Sequence, residues 1–78
     1  MKSHIAIILD RLNRLVDEDN PKATYNFEKE GVILMTISFD PVTQFFLVKY
    51  PKQKAVIEYD SVDLLVIDIF ELLYEYEQ

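Results

Sequence analysis

Apolar residues fall at helical spacing near the start of the chain, alternate with polar ones through the middle, and return to helical spacing at the end. Over residues 3–18, Ile5, Ile8, Leu9, Leu12, Leu15 and Val16 share one side of a helical wheel. Asp10, Arg11, Asn13, Arg14 and Asp17 lie opposite, and only Ile7 is out of place. The hydroxyl of Ser3 suits an N-cap. Pro21 disfavours helical geometry at Asn20, so the helix stops by Asp19.

Residues 22–60 predict four strands joined by three hairpin loops. Lys29-Glu30-Gly31 fits a three-residue loop, with Gly31 supplying positive φ, and sets Phe27 opposite Ile33 and Tyr25 opposite Met35. Asp40-Pro41-Val42-Thr43 fits a four-residue loop that sets Ile37 opposite Phe46 and Met35 beside Val48. Pro51–Lys54 sets Tyr50 against Ala55 and Val48 against Ile57. These registers, chosen from turn chemistry, gather Ala23, Tyr25, Phe27, Ile33, Met35, Ile37, Phe39, Phe46, Val48, Tyr50, Ala55, Ile57 and Tyr59 on one face. A slip of one residue would scatter that set across both faces. The other face carries Thr24, Asn26, Glu28, Thr36, Ser38, Lys49 and Glu58, together with the apolar Val32, Leu34, Phe45, Leu47 and Val56.

Residues 61–76 predict the second helix, with Asp60 as N-cap, Asp63 in the first turn and Tyr59 stapled onto Leu64. Val62, Leu65, Val66, Ile69, Leu72, Leu73 and Tyr76 form one stripe, and Leu64, Ile67, Phe70 and Tyr74 lie beyond it. The apolar arc spans roughly 220°, where roughly 100° covers a single surface. The fold class that results is α+β: a two-layer α-β-β-β-β-α domain over residues 1–78, its four-stranded antiparallel meander carrying both terminal helices on one face.

Size sharpens the picture. A chain of 78 residues with 50% hydrophobic content and no cysteine makes one domain of marginal stability, helped by neither disulfides nor a cysteine-held metal. Self-association is the remaining aid. The net charge of −6 opposes binding to nucleic acid and to anionic membranes. No apolar run approaches the 18 or so residues of a membrane span, and Ile5–Leu9 is too short for a secretory signal, so a cytoplasmic location is expected.

Candidate chemistry is sparse. His4 is the one imidazole and has neither a serine nor a cysteine nucleophile beside it in sequence. Asp60 and Asp63 are what a helix start requires. Asp17, Glu18 and Asp19 crowd a helix C-terminus, where the dipole disfavours them, yet they lack the glycine-centred calcium-loop pattern; they read as a solvated acidic loop. Lys49, Lys52 and Lys54 with Tyr50 are the one basic cluster. The helix–strands–helix order is similar to that of double-stranded-RNA-binding domains, but residues 61–78 hold five acids and no base, where those domains carry lysines. A single glycine rules out phosphate-cradling loops, and no metal or other cofactor is expected.

Ile8-Leu9-Asp10-Arg11-Leu12, Phe27-Glu28-Lys29-Glu30-Gly31-Val32, and Tyr59-Asp60-Ser61-Val62-Asp63 running into Ile69-Phe70-Glu71-Leu72-Leu73 resemble the YkuJ-like family of small bacterial proteins of unknown function. The resemblance covers nearly the whole chain. It implies an α-β-β-β-β-α domain, a cytoplasmic location and a capacity for dimers, and it transfers no site residues.

The reading that follows is a non-catalytic, homodimeric interaction or regulatory module whose protein partner is not specified. Surplus apolar positions at Leu34, Phe45, Leu47, Leu64, Ile67, Phe70 and Tyr74 form the candidate interface. The alternatives are a small-molecule binder with a pocket at Tyr25, Tyr50 or Tyr59, and, behind it, a nucleic-acid binder using the Lys49–Lys54 hairpin.

Overall fold

A computed structural model describes residues 3–75. Helix α1 (His4–Glu18) starts where the Ser3 hydroxyl accepts the Ala6 N–H at 3.1 Å. It ends at Asp19, whose φ of 52° is left-handed and whose N–H returns to the Val16 carbonyl. Only Ile8, Leu12 and Leu15 are buried; Leu9 is half-buried, and Ile5 and Val16 remain exposed beside Ile7.

Strands β1 (Thr24–Lys29), β2 (Val32–Asp40), β3 (Phe45–Lys49) and β4 (Val56–Tyr59) form an antiparallel sheet in the order β1-β2-β3-β4. The third hairpin has the expected register, with Val48 opposite Ile57, although the ladder stops at Lys49–Val56 before it reaches Tyr50 and Ala55. The other two differ from expectation. Glu30 (φ 54°) and Gly31 (φ 80°) both take left-handed geometry, which makes a two-residue turn with Lys29 opposite Val32. A β-bulge then shifts the pairing, so that Glu28 faces Ile33 while Phe27 faces Met35, leaving Leu34 as the extra residue. In the second hairpin, Gln44 (φ 62°) closes the loop by donating its N–H to the Asp40 carbonyl at 2.7 Å, and the Asp40 carboxylate accepts the Val42 N–H. The loop is therefore Pro41–Gln44, and Ile37 faces Val48 instead of Phe46.

Both corrections away from the bulge amount to two residues, and two residues preserve the face. Phe27, Met35, Ile37, Phe46 and Val48 are buried on the inner side, with Ala23, Tyr25, Phe39, Tyr50 and Tyr59 packed around them. Two members of the predicted set depart, and a third keeps its face but is poorly covered. Ile33 is displaced by the bulge and Ala55 is exposed before β4 begins, whereas Ile57 faces Val48 as expected and is only partly covered on the edge strand. Leu34, expected on the outer face, packs against the core instead.

Helix α2 (Val62–Phe70) continues into a π-helical segment (Glu71–Glu75), where an uninterrupted α-helix was expected. Its N-cap is Ser61, in extended geometry, and not Asp60; the Ser61 carbonyl accepts the Leu65 N–H. Asp63 lies in the first turn, where a carboxylate favours the helix dipole. Leu65, Val66, Ile69 and Leu73 meet Ile8, Leu12 and Leu15 of α1 over the sheet in one core. Tyr76, assigned to the same stripe, lies outside the described residues.

Two substitutions check this architecture by urea denaturation. Ile37→Ala at a fully buried position costs about 2–5 kcal/mol. Glu30→Asn suits the left-handed turn position better than glutamate and raises stability by up to about 1 kcal/mol.

Candidate functional site

The residues singled out as a possible interface do not form one surface. Phe45 and Leu47 are half-buried on the outer side of the sheet, facing Asp40 and Ser38 across the ladder. Leu34 is half-buried on the inner side of the sheet at the bulge. On α2, Leu64 and Ile67 are 59% and 49% exposed, one turn apart. Phe70 and Tyr74 are half-buried further along, with ring centroids 5.3 Å apart.

Helix α2 is held against the edge strand by a polar contact. The Tyr59 hydroxyl donates to the Asp68 carboxylate at 2.5 Å, while Leu64, the residue expected to staple onto Tyr59, is mostly exposed. Burial raises the Tyr59 phenol well above its ordinary value, and the Asp68 hydrogen bond adds to the rise, with Tyr50 a lesser contributor. Next to this contact β4 leaves Val56 and Ile57 exposed, and the strand pairs only with β3.

Among the described residues, two clefts border the candidate elements. The first, of about 300 Å³, lies between α1 and β1 and is lined by Ile8, Arg11, Tyr25, Glu28, Leu73 and Tyr74 among others. Arg11 is already engaged there: its Nε donates to the Tyr25 hydroxyl at 3.0 Å, its guanidinium lies 5.7 Å from the Tyr25 ring centre, and it reaches Asp10 at 3.7 Å. The second, of about 360 Å³, lies where the β-bulge, the β3–β4 loop and the π-helical segment meet. Of the three tyrosines proposed for a ligand pocket, Tyr50 and Tyr59 lie close together and Tyr25 stands apart. Tyr25 lines the first cleft, Tyr50 the second, and Tyr59 holds α2.

The sequence-derived candidates for chemistry take structural places. His4 stacks on Tyr74 with ring centroids 4.0 Å apart. Asp17, Glu18 and Asp19 are exposed at the end of α1, and Asp60 is exposed just before the Ser61 cap. Among the described residues, no group of three or more histidine, aspartate or glutamate side chains could hold a metal ion. Lys49 is exposed on β3, with Lys52 and Lys54 in the loop that follows.

Sequence reasoning missed three features: the Arg11–Tyr25 contact, the bulge, and the Lys29 ammonium, which donates to the Leu73 carbonyl at 3.0 Å. The last places a cation from β1 at the C-terminal end of a helical stretch that has no base of its own. The one available signal was that lack of a base in residues 61–78, since the partners lie 44 residues apart.

A family profile described as "Protein of unknown function (DUF1797)" matches residues 8–73. The chain belongs to that family. Its fold is also that of an X-ray structure of the YkuJ protein from Bacillus subtilis, at a TM-score of 0.79 and 25% sequence identity, over 91% of this chain and 98% of that one. The resemblance to YkuJ-like proteins and the α+β meander both hold. No curated protein matches. No helix among the described residues is long and apolar enough to cross a membrane.

The Tyr59–Asp68 contact gives a pH prediction. A phenol whose pKa is raised by folding contributes stability that is full below its unfolded value, about 10, and declines as pH rises above it. The wild-type protein therefore loses stability above pH 10 more steeply than Tyr59→Phe, which itself costs about 1 kcal/mol at neutral pH. Urea midpoints at pH 7, 9.5 and 11 measure both effects.

Proposed function

We propose that this chain is a non-catalytic protein-interaction or regulatory module of the cytoplasm, and that it works as a homodimer formed through the exposed side of α2 and the neighbouring β4 edge. The observation that carries the reading is the pair Leu64 and Ile67, more than half and nearly half exposed on consecutive turns of a helix whose other side fills the core. Contiguous apolar surface of this kind usually marks a partner. Ile57, on the helix-covered side of the sheet, lies on β4, a strand whose outer backbone edge is unpaired.

A second copy is the favoured occupant for physical reasons. A 78-residue chain gains most from burying surface against itself, and a twofold contact is the simplest closed arrangement. Asp63 and Asp68 flank the patch, so the two copies repel electrostatically at close range. Salt screens that repulsion while leaving apolar burial intact. The non-catalytic part of the reading rests on side chains that serve caps, stacks and turns: Ser3 caps a helix, His4 stacks on Tyr74, and Asp40 closes a loop. The net charge of −6 argues against nucleic acid as the partner of Lys49, Lys52 and Lys54.

Light scattering across a dilution series tests the reading. The expected mass is that of two 9.2 kDa chains at micromolar concentration, with dissociation shifting to lower concentration as salt is raised. Leu64→Lys combined with Ile67→Lys should yield a single chain with an unchanged circular dichroism spectrum, because both positions are exposed. A wild-type protein that is monomeric at these concentrations overturns the proposal.

A further inference from the structure

We propose that the cleft between the β-bulge and the π-helical segment is a binding site for a small amphiphile with an apolar body and a single carboxylate head. Three observations converge on this place. The first concerns backbone geometry. The sheet loses its register at Ile33 and Leu34, and α2 changes its winding at Glu71–Glu75. Both irregularities border this cleft, through Ile33, Leu34 and Leu72. Bulges and π-turns are enriched next to functional sites, because each re-aims side chains at a cost in regular hydrogen bonding.

The second observation is the lining. Leu34 and Leu72 are half-buried walls, while Val32 and Ile33 stand 60% and 40% exposed beside them. The space of about 360 Å³ falls within the range of small-molecule sites, which are mostly apolar with a few polar groups at one end. Here the polar end is the turn that follows β3, where the Gln53 N–H donates to the Tyr50 carbonyl and places Lys52 at the rim.

The third observation is charge. Fourteen acidic residues surround eight basic ones in this chain, yet Lys52 has no carboxylate within 4.0 Å among the described residues. Lys49 and Lys54 lie close to it in sequence, so the loop beside the cleft adds positive charge in an otherwise acidic protein. A lone ammonium is a point charge suited to one carboxylate. A phosphate head would favour an arginine fork or a helix N-terminus, and both arginines lie on α1.

The first cleft offers less to a ligand, because Arg11 already serves Tyr25 and Asp10. The proposed site is independent of the dimer surface, since its residues come from the bulge, the β3–β4 loop and Leu72, while the dimer surface is built from Leu64, Ile67 and β4.

The test is an amide-resolved NMR titration of the full-length protein with sodium octanoate, kept below its micellar range. Octanol and octylammonium serve as neutral and cationic counterparts. Octanoate is expected to shift the resonances of Val32–Leu34, Tyr50, Lys52, Gln53 and Leu72. Octanol should bind there about threefold more weakly, as expected for loss of one exposed charge pair, and octylammonium more weakly still. In Lys52→Glu the preference for octanoate over octanol disappears while the spectrum stays folded. The Leu64→Lys, Ile67→Lys variant should bind octanoate like the wild type, so failure of the dimer and failure of this site are read separately. Octanoate shifts absent from these residues, or equal binding of all three probes, would overturn the proposal.

Discussion

One surface organises this molecule: the apolar side of a four-stranded sheet, which must be kept from water by two helices of limited length. Met35, Ile37 and Val48 form its centre and are essentially inaccessible, and Ile8, Leu12, Leu65 and Ile69 close over them from both ends of the chain. Burial of apolar area at about 25 cal/mol per Å² is the main favourable contribution available here, because the chain has no disulfide and few buried polar contacts. The Arg11–Tyr25, Tyr59–Asp68 and Lys29–Leu73 bonds each tie a helical segment to a strand. They orient the cover; the apolar face supplies most of its adhesion.

That dependence explains what could be read from the sequence and what could not. Alternation over β2 and β3 specified which side chains point inward, and helical periodicity specified the stripe from Leu65 to Leu73, so the fold class was legible. Exact partners were legible in the third hairpin but not in the first two, because loop chemistry tolerates neighbouring solutions. Glu30 and Gln44 take left-handed geometry without being glycine or asparagine, which moved both loops by a residue or so. Since each displacement amounts to two residues in register, the inner face survived. At Leu34 the extra residue breaks the alternation, and there a pattern-based expectation failed for both Ile33 and Leu34.

The candidate site was less legible, for a related reason. The wide apolar arc of α2 correctly marked Leu64 and Ile67 as surplus, because helical periodicity reports burial directly. Phe45 and Leu47 lie on the outer side of the sheet, as alternation placed them, and so form a surface separate from α2. Contacts such as His4 on Tyr74 join the two ends of the chain and leave no trace in local pattern. The cleft at Lys52 needed both the bulge and the π-turn to become visible, and neither has a sequence signature in a chain with a single glycine.

The most direct test of the account is the register itself, read from cross-strand backbone NOEs in solution. The account predicts that Phe27 pairs with Met35, Glu28 with Ile33, and Ile37 with Val48, with Leu34 unpaired between them. Backbone contacts pairing Phe27 with Ile33 and Ile37 with Phe46 would contradict it, since the bulge would vanish and Leu34 would return to the outer face.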